Sequence, residues 1–105
     1  SPWLVMGFKA LEYFTGKLPL VEPKNGIELI GDSSDNSILS GVVNGTVAEI
    51  EGVINQYSQV YENLTVIFTG GDASFFDKEL KSNIFVEQNL TLIGLNEILL
   101  YNTRA

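Results

Sequence analysis

The chain contains no cysteine and no histidine. The first absence excludes disulfides and thiolate chemistry. The second removes the side chain most used as general base and metal ligand near neutral pH. Any catalytic base among these residues would have to be a carboxylate, a lysine or a tyrosine. Positive charge is scarce as well: 6 Lys and Arg stand against 13 Asp and Glu, for a net charge of −7. An acidic surface repels phosphate backbones and anionic lipid, so neither nucleic acid nor a membrane is expected as a partner. No unbroken apolar run approaches the roughly 20 residues of a spanning helix, and no leader is visible; a cytoplasmic location is expected.

What is present is a hydrophobic fraction of 45% in 105 residues, enough to pack the core of one small domain or of part of a larger one. The chain opens on Ser1-Pro2 rather than Met, already at the edge of a helix, and reads as a fragment.

One stretch organises the rest: Thr65-Val66-Ile67-Phe68-Thr69-Gly70-Gly71-Asp72-Ala73. Four β-branched and aromatic residues predict a short buried strand. Two glycines then permit a turn that a side chain would block, with Gly71 the position expected to need positive φ or close approach to a ligand. Asp72 can cap a short helix over 73–80, with Phe75, Phe76 and Leu80 facing inward. A glycine turn between strand and helix suits a phosphate or ribose edge, and equally serves as a plain capped turn.

Around that stretch the pattern is helical. Ser1 and Pro2 suit the N-cap and first helical positions. Leu4, Phe8, Leu11 and Phe14 then share one face, and Gly16 and Pro19 stop the helix. Trp3, Phe8 and Phe14 are read as core. Asn25-Gly26 predicts a turn, and 27–30 a short edge strand. The longest helix is expected over 35–61. Its Gly41 and Gly45 cost about 1 kcal/mol each relative to alanine, unless a partner backbone approaches there. Residues 84–86 predict a second strand, and Asn89 caps a last helix over 90–102. Helices alternating with strands indicate an α/β layer architecture with a short, mostly parallel sheet. Two or three strands cannot cover four amphipathic helices, so further strands are expected upstream.

Several of these stretches together resemble a known family. Phe8-Lys9-Ala10-Leu11 with Phe14-Thr15-Gly16-Lys17-Leu18-Pro19, then Ser40-Gly41-Val42-Val43-Asn44-Gly45, then Phe68-Thr69-Gly70-Gly71-Asp72-Ala73, then Gly94-Leu95-Asn96, occur in the order and spacing of the C-terminal half of type III pantothenate kinases of Bacteroidetes. The resemblance implies part of a ribonuclease-H-like lobe of the actin, Hsp70 and sugar-kinase type. It makes 1–105 the C-terminal part of the second of two lobes, with the first lobe and upstream strands absent. The implied reaction is transfer of the ATP γ-phosphate to pantothenate, the first step of coenzyme A synthesis, by a homodimer using Mg²⁺ and a monovalent cation (K⁺ or NH₄⁺). The family's phosphate-binding turn and general base fall outside these residues, so no catalytic residue and no metal ligand is assigned here and the fragment is expected to be inactive alone. Thr69, Gly70, Gly71 and Asp72 become candidates for the nucleotide, and Ser34 for pantothenate. Ser34 and Asp35 both equally suit an N-cap, and Asp32 reads as solvated rather than metal-binding. Three positions depart from the family: Trp3 stands for a glycine, Gly7 for a frequent arginine, and Ser34 for a threonine. The 35–61 helix is the expected dimer contact. The competing function is a non-catalytic, accessory-factor-like regulatory module acting through protein contacts.

Overall fold

A computed structural model of the chain describes residues 2–104, with side chains from Leu4 onward. The expected cap at Ser1 and the packing of Trp3 lie outside the described residues. Helix α1 is Pro2–Thr15. A long helix follows, built from α2 (Ser34–Leu39), a π-helical segment (Ser40–Asn44) and α3 (Gly45–Val60). Strand β1 (Ile67–Phe68), helix α4 (Ala73–Glu79), strand β2 (Phe85–Val86) and helix α5 (Leu90–Thr103) complete the order. The two strands are parallel, Ile67 beside Phe85 and Phe68 beside Val86. The Phe85 amide donates to the Val66 carbonyl and the Glu87 amide to that of Phe68, both at 2.9 Å. The molecule is thus α/β, mostly helical with a short parallel sheet.

The core is small and lies where α1 crosses the long helix: Leu4, Phe8, Val21, Ile38, Leu39, Val43 and Phe76 are buried together. Leu4, Phe8 and Leu11 carry out the expected helical stripe, but Phe14 does not. It is 81% exposed and packs edge-to-face on Tyr13. It lies in the last turn of α1, past the point where the long helix offers a surface. Gly7 has a packing reason, since a Cβ there would sit 3.1 Å from Val42 Cγ1. α1 ends as its glycine predicts: Gly16 has φ 67° and its amide returns to the Glu12 carbonyl at 3.3 Å.

Residues 27–30 form no strand. The carbonyls of Ile27, Glu28 and Leu29 are taken instead by side chains of the π segment, Ser40 and Asn44, which satisfies them without a ladder. The Asn25-Gly26 turn exists, with φ 70° at Gly26. Glu79 pins it to α4, accepting from Asn25 Nδ2 at 2.8 Å and from the Gly26 amide at 3.0 Å.

By length and composition the continuous helix Ser34–Val60 could cross a membrane, with 27 residues and a mean hydropathy of 1.2. Its first half instead supplies Ile38, Leu39 and Val43 to the core and hydrogen-bonds residues 27–29, which is how a core helix is used. Gly41 and Gly45 are exposed, with open space where a Cβ would stand. Among the described residues no other element comes within 4 Å of those positions.

Beyond the core the chain is open. The radius of gyration is 17.5 Å and the extents are 61 × 31 × 20 Å, against about 13 Å for a compact chain of this length. α5 has no buried residue. Leu92, Ile93, Leu95, Ile98, Leu99 and Tyr101 are all exposed around its circumference, as is Phe85 on the sheet.

Glu51 of α3 ties the sheet side to the long helix. It accepts from the Ser82 hydroxyl, from the Lys81 amide at 2.6 Å and from the Ser82 amide at 3.0 Å. The Ser82 hydroxyl hydrogen bond is the main cause that holds its carboxyl below the ordinary range, with the two amides and the Lys81 charge adding to it against partial desolvation. A folded-state pKa below the unfolded one gives stability that is present above the unfolded value and lost as pH falls through the folded one. Glu51→Gln should therefore lower stability at neutral pH, and the gap to the parent should close in acid. Denaturant titrations from pH 7 to pH 3 in which the gap stays constant would disprove this.

Candidate functional site

Between α3, β1 and α4 lies a cleft of about 340 Å³ lined by Thr46, Ile50, Ile67, Phe68, Thr69, Asp72, Ala73 and Phe76. The strand–glycine–helix stretch builds one wall. β1 delivers Thr69 to its rim, and Gly70 turns the chain with φ 99°. The Ala73 amide then closes the turn on the Gly70 carbonyl at 3.2 Å, and the Phe76 amide bonds to the Asp72 carbonyl at 3.1 Å. The left-handed residue of this turn is therefore Gly70, whereas the sequence placed that requirement at Gly71. Asp72 does occupy the N-cap position, with φ −94° and ψ 4°, but its side chain makes no capping hydrogen bond. Asn89, expected to cap α5, makes none either. Phe76 is buried, Phe75 and Leu80 pack half-buried against the core, and Lys78 lies in the last turn of α4.

The lining of the cleft is mostly apolar and adds the hydroxyls of Thr46 and Thr69 and the side chain of Asp72, one of whose carboxylate oxygens is buried. That combination fits the flat face of a base and the hydroxyls of a sugar. It does not fit a polyphosphate, because no Lys or Arg lines it and the one charged group there is negative. Thr46 and Ile50 were not legible as lining residues. They lie on the long helix, more than fifteen positions before β1, and only the fold brings them opposite Thr69. Thr46 donates its hydroxyl to the Val42 carbonyl at 2.6 Å, which fixes its rotamer along the cleft wall.

Ser34 is not part of this cleft. It is the first residue of α2, exposed, and lines a second, more open groove of about 430 Å³ with Leu11, Leu18, Ser37, Ile38 and Gly41. The N-cap belongs neither to Ser34 nor to Asp35 but to Ser33, whose hydroxyl accepts from the Asn36 amide at 3.1 Å. The Ser34 hydroxyl is thus not spent on capping. Asp32 is exposed and accepts from Asn36 Nδ2 at 2.6 Å. Among the described residues no group of three or more acidic side chains could hold a metal ion.

No family model matches the chain. Curated sequences do. Over 97% of its length the chain is 51% identical to a type III pantothenate kinase of Christiangramia forsetii and 53% identical to one of Cytophaga hutchinsonii. The chain matches the C-terminal part of type III pantothenate kinases. Against a third, from Phocaeicola vulgatus, identity is 44% over 99% of this chain. The chain spans 42% of the length of the first of these kinases and 43% of the other two. The region shared with these kinases contains both the Thr69–Asp72 cleft and the Ser34 groove.

Proposed function

We propose that the chain is the C-terminal part of the second lobe of a type III pantothenate kinase, which transfers the ATP γ-phosphate to pantothenate as the entry to coenzyme A synthesis. The observation that carries this reading is identity above 50% to two such kinases across nearly the whole chain. In the reading, Thr69, Gly70, Gly71 and Asp72 form the base-and-sugar side of the nucleotide site, and Ser34 offers its hydroxyl to pantothenate. The phosphates are held by residues outside this chain, in keeping with a cleft that carries an acidic rim and no basic residue. The same holds for Mg²⁺ and a monovalent cation, for which the described residues offer no acidic cluster. The lobe is of the ribonuclease-H-like, actin-type architecture, and the enzyme is cytoplasmic and contacts neither nucleic acid nor membrane.

The open apolar surface supports the fragment reading. A helix that is apolar all round is normally buried, and exposed apolar patches of this extent mark contacts with other surfaces. Upstream strands would cover α5 and the outer face of the sheet. A homodimer through the 35–61 helix is part of the proposal; Val53, Tyr57 and Val60 on α3 are exposed and Gly41 and Gly45 leave room for close approach. A full-length protein that is monomeric by light scattering would remove the dimer.

The deciding experiment is an assay for phosphopantothenate with ATP. The full-length protein should form it and the 105-residue chain alone should not, since phosphoryl transfer needs a phosphate cradle, a metal and a positioned hydroxyl together. An inactive, folded full-length protein would overturn the reading in favour of a regulatory module. Activity of the isolated chain would overturn the division of labour.

A further inference from the structure

The π-helical segment Ser40–Asn44 interrupts an otherwise regular helix, and such single turns recur where a helix has to aim side chains at a functional element. Here it aims two. Asn44 Nδ2 lies 3.4 Å from the Ile27 carbonyl, 3.3 Å from that of Glu28 and 3.1 Å from Ser40 Oγ. Ser40 Oγ in turn donates to the Leu29 carbonyl at 2.5 Å. Ser40 is the buried polar residue of the core, 7% exposed. The amide, the hydroxyl and the carbonyls form one chain of hydrogen bonds in which each member polarises the next.

The segment they hold leads to Ser34 at the start of α2, one of the residues lining the groove. After Ile30 the chain passes over α2 at Gly31, so close that a Cβ there would stand 2.4 Å from the Ser37 nitrogen. Asp32 and Ser33 then fasten onto Asn36, and Ser34 follows. Gly41, inside the π turn, lies on the same wall of the groove as Ser34 and Ser37, two turns further along one continuous helix. The helix that carries Ser34 on the groove wall therefore also grips, through its π turn, the segment that leads into its own first turn.

We infer that Asn44 and Ser40 are positioning residues for the pantothenate side of the site. Through the carbonyls of 27–29 they fix the register of the segment that leads into the first turn of α2, where Ser34 stands. This rests on the function proposed above. They touch neither substrate, and neither they nor residues 27–36 line the Thr69–Asp72 cleft, so the effect falls mainly on one substrate.

The test is kinetics and hydrogen exchange on the full-length protein. Asn44→Ala should raise KM for pantothenate about tenfold, the size of one well-placed hydrogen-bond network lost, and leave KM for ATP within about twofold. Asn44→Asp keeps the shape and cannot donate to a carbonyl, so it should behave like Asn44→Ala. Ser40→Ala removes one oxygen only and should move the same parameter in the same direction even if the Asn44 variants fail to fold. Amides of 27–36 should exchange faster in each variant, with those of 48–58 unchanged. Unmoved pantothenate KM, or equal rises for both substrates, overturns the positioning role, and unmoved exchange overturns the grip itself. If the parent protein phosphorylates no pantothenate, the functional reading fails. Faster exchange of 27–36 in the variants then still establishes the grip, and unchanged exchange removes both.

Discussion

Gly31→Ala is expected to destabilise the full-length protein by about 3 kcal/mol, the upper part of the range for overpacking a closed site. The added methyl would stand 2.4 Å from the Ser37 nitrogen, 2.6 Å from the Asn36 carbonyl carbon and 2.7 Å from the Ser37 Cα. All three are backbone atoms in the first turns of α2, so no side-chain rotation relieves the contact. Either the loop lifts or the helix start moves. A lifted loop gives up the Ser33 cap on Asn36, worth about 1 kcal/mol, and slackens the bonds from Ser40 and Asn44 to residues 27–29. Urea midpoints of Gly31→Ala and the parent measure the cost. A Gly31→Ala midpoint equal to the parent's would mean that the close crossing does not exist.

Much of this arrangement was readable from residue order. The long helix, the parallel strands at 67–68 and 85–86, and the helices that follow them answer to periodicity and to β-branched runs, which are local signals, but the first strand is not buried as expected, since Ile67 is exposed. The stop at Gly16 and the Asn25-Gly26 turn answer to glycine's access to positive φ. What could not be read was tertiary. Segment 27–30 has the alternation of an edge strand, but Ser40 and Asn44 compete for its carbonyls and win. Phe14 continues the α1 stripe in sequence, yet the surface it would need ends one turn earlier. Gly31 carries no local signal, because its requirement is the nearness of α2 rather than a dihedral angle. The cleft was half legible. Its turn announces itself by two glycines, while Thr46 and Ile50 face it only because α3 packs alongside β1.

Gly70→Val in the full-length protein is expected to weaken ATP binding by about tenfold or more. At φ 99° a β-branched side chain meets the preceding carbonyl, and holding it there costs of order 1–3 kcal/mol. The turn has two ways to answer. It can keep its shape and bear the strain, in which case stability falls and the cleft survives. Or it can swing Gly70 back to negative φ, which breaks the 3.2 Å bond from the Ala73 amide to the Gly70 carbonyl and shifts Thr69 and Asp72, the two rim residues on either side. The second is the cheaper course, because the turn is exposed at Gly70 and Gly71 and nothing within 4 Å of the Gly70 Cβ position resists the movement. Affinity should therefore suffer more than stability. Gly70→Asn supplies the control: asparagine visits positive φ more readily than other side chains, so it should retain most of the affinity that Val loses. Calorimetric titration of ATP into the parent and both variants, with thermal midpoints taken alongside, reads the two quantities separately. Equal ATP affinity in a folded Gly70→Val protein would reduce the turn to a connection between β1 and α4 and move the nucleotide elsewhere. An equal loss in Gly70→Asn and Gly70→Val would shift the cause from dihedral strain to simple occupation of the space that the missing side chain leaves for the ligand.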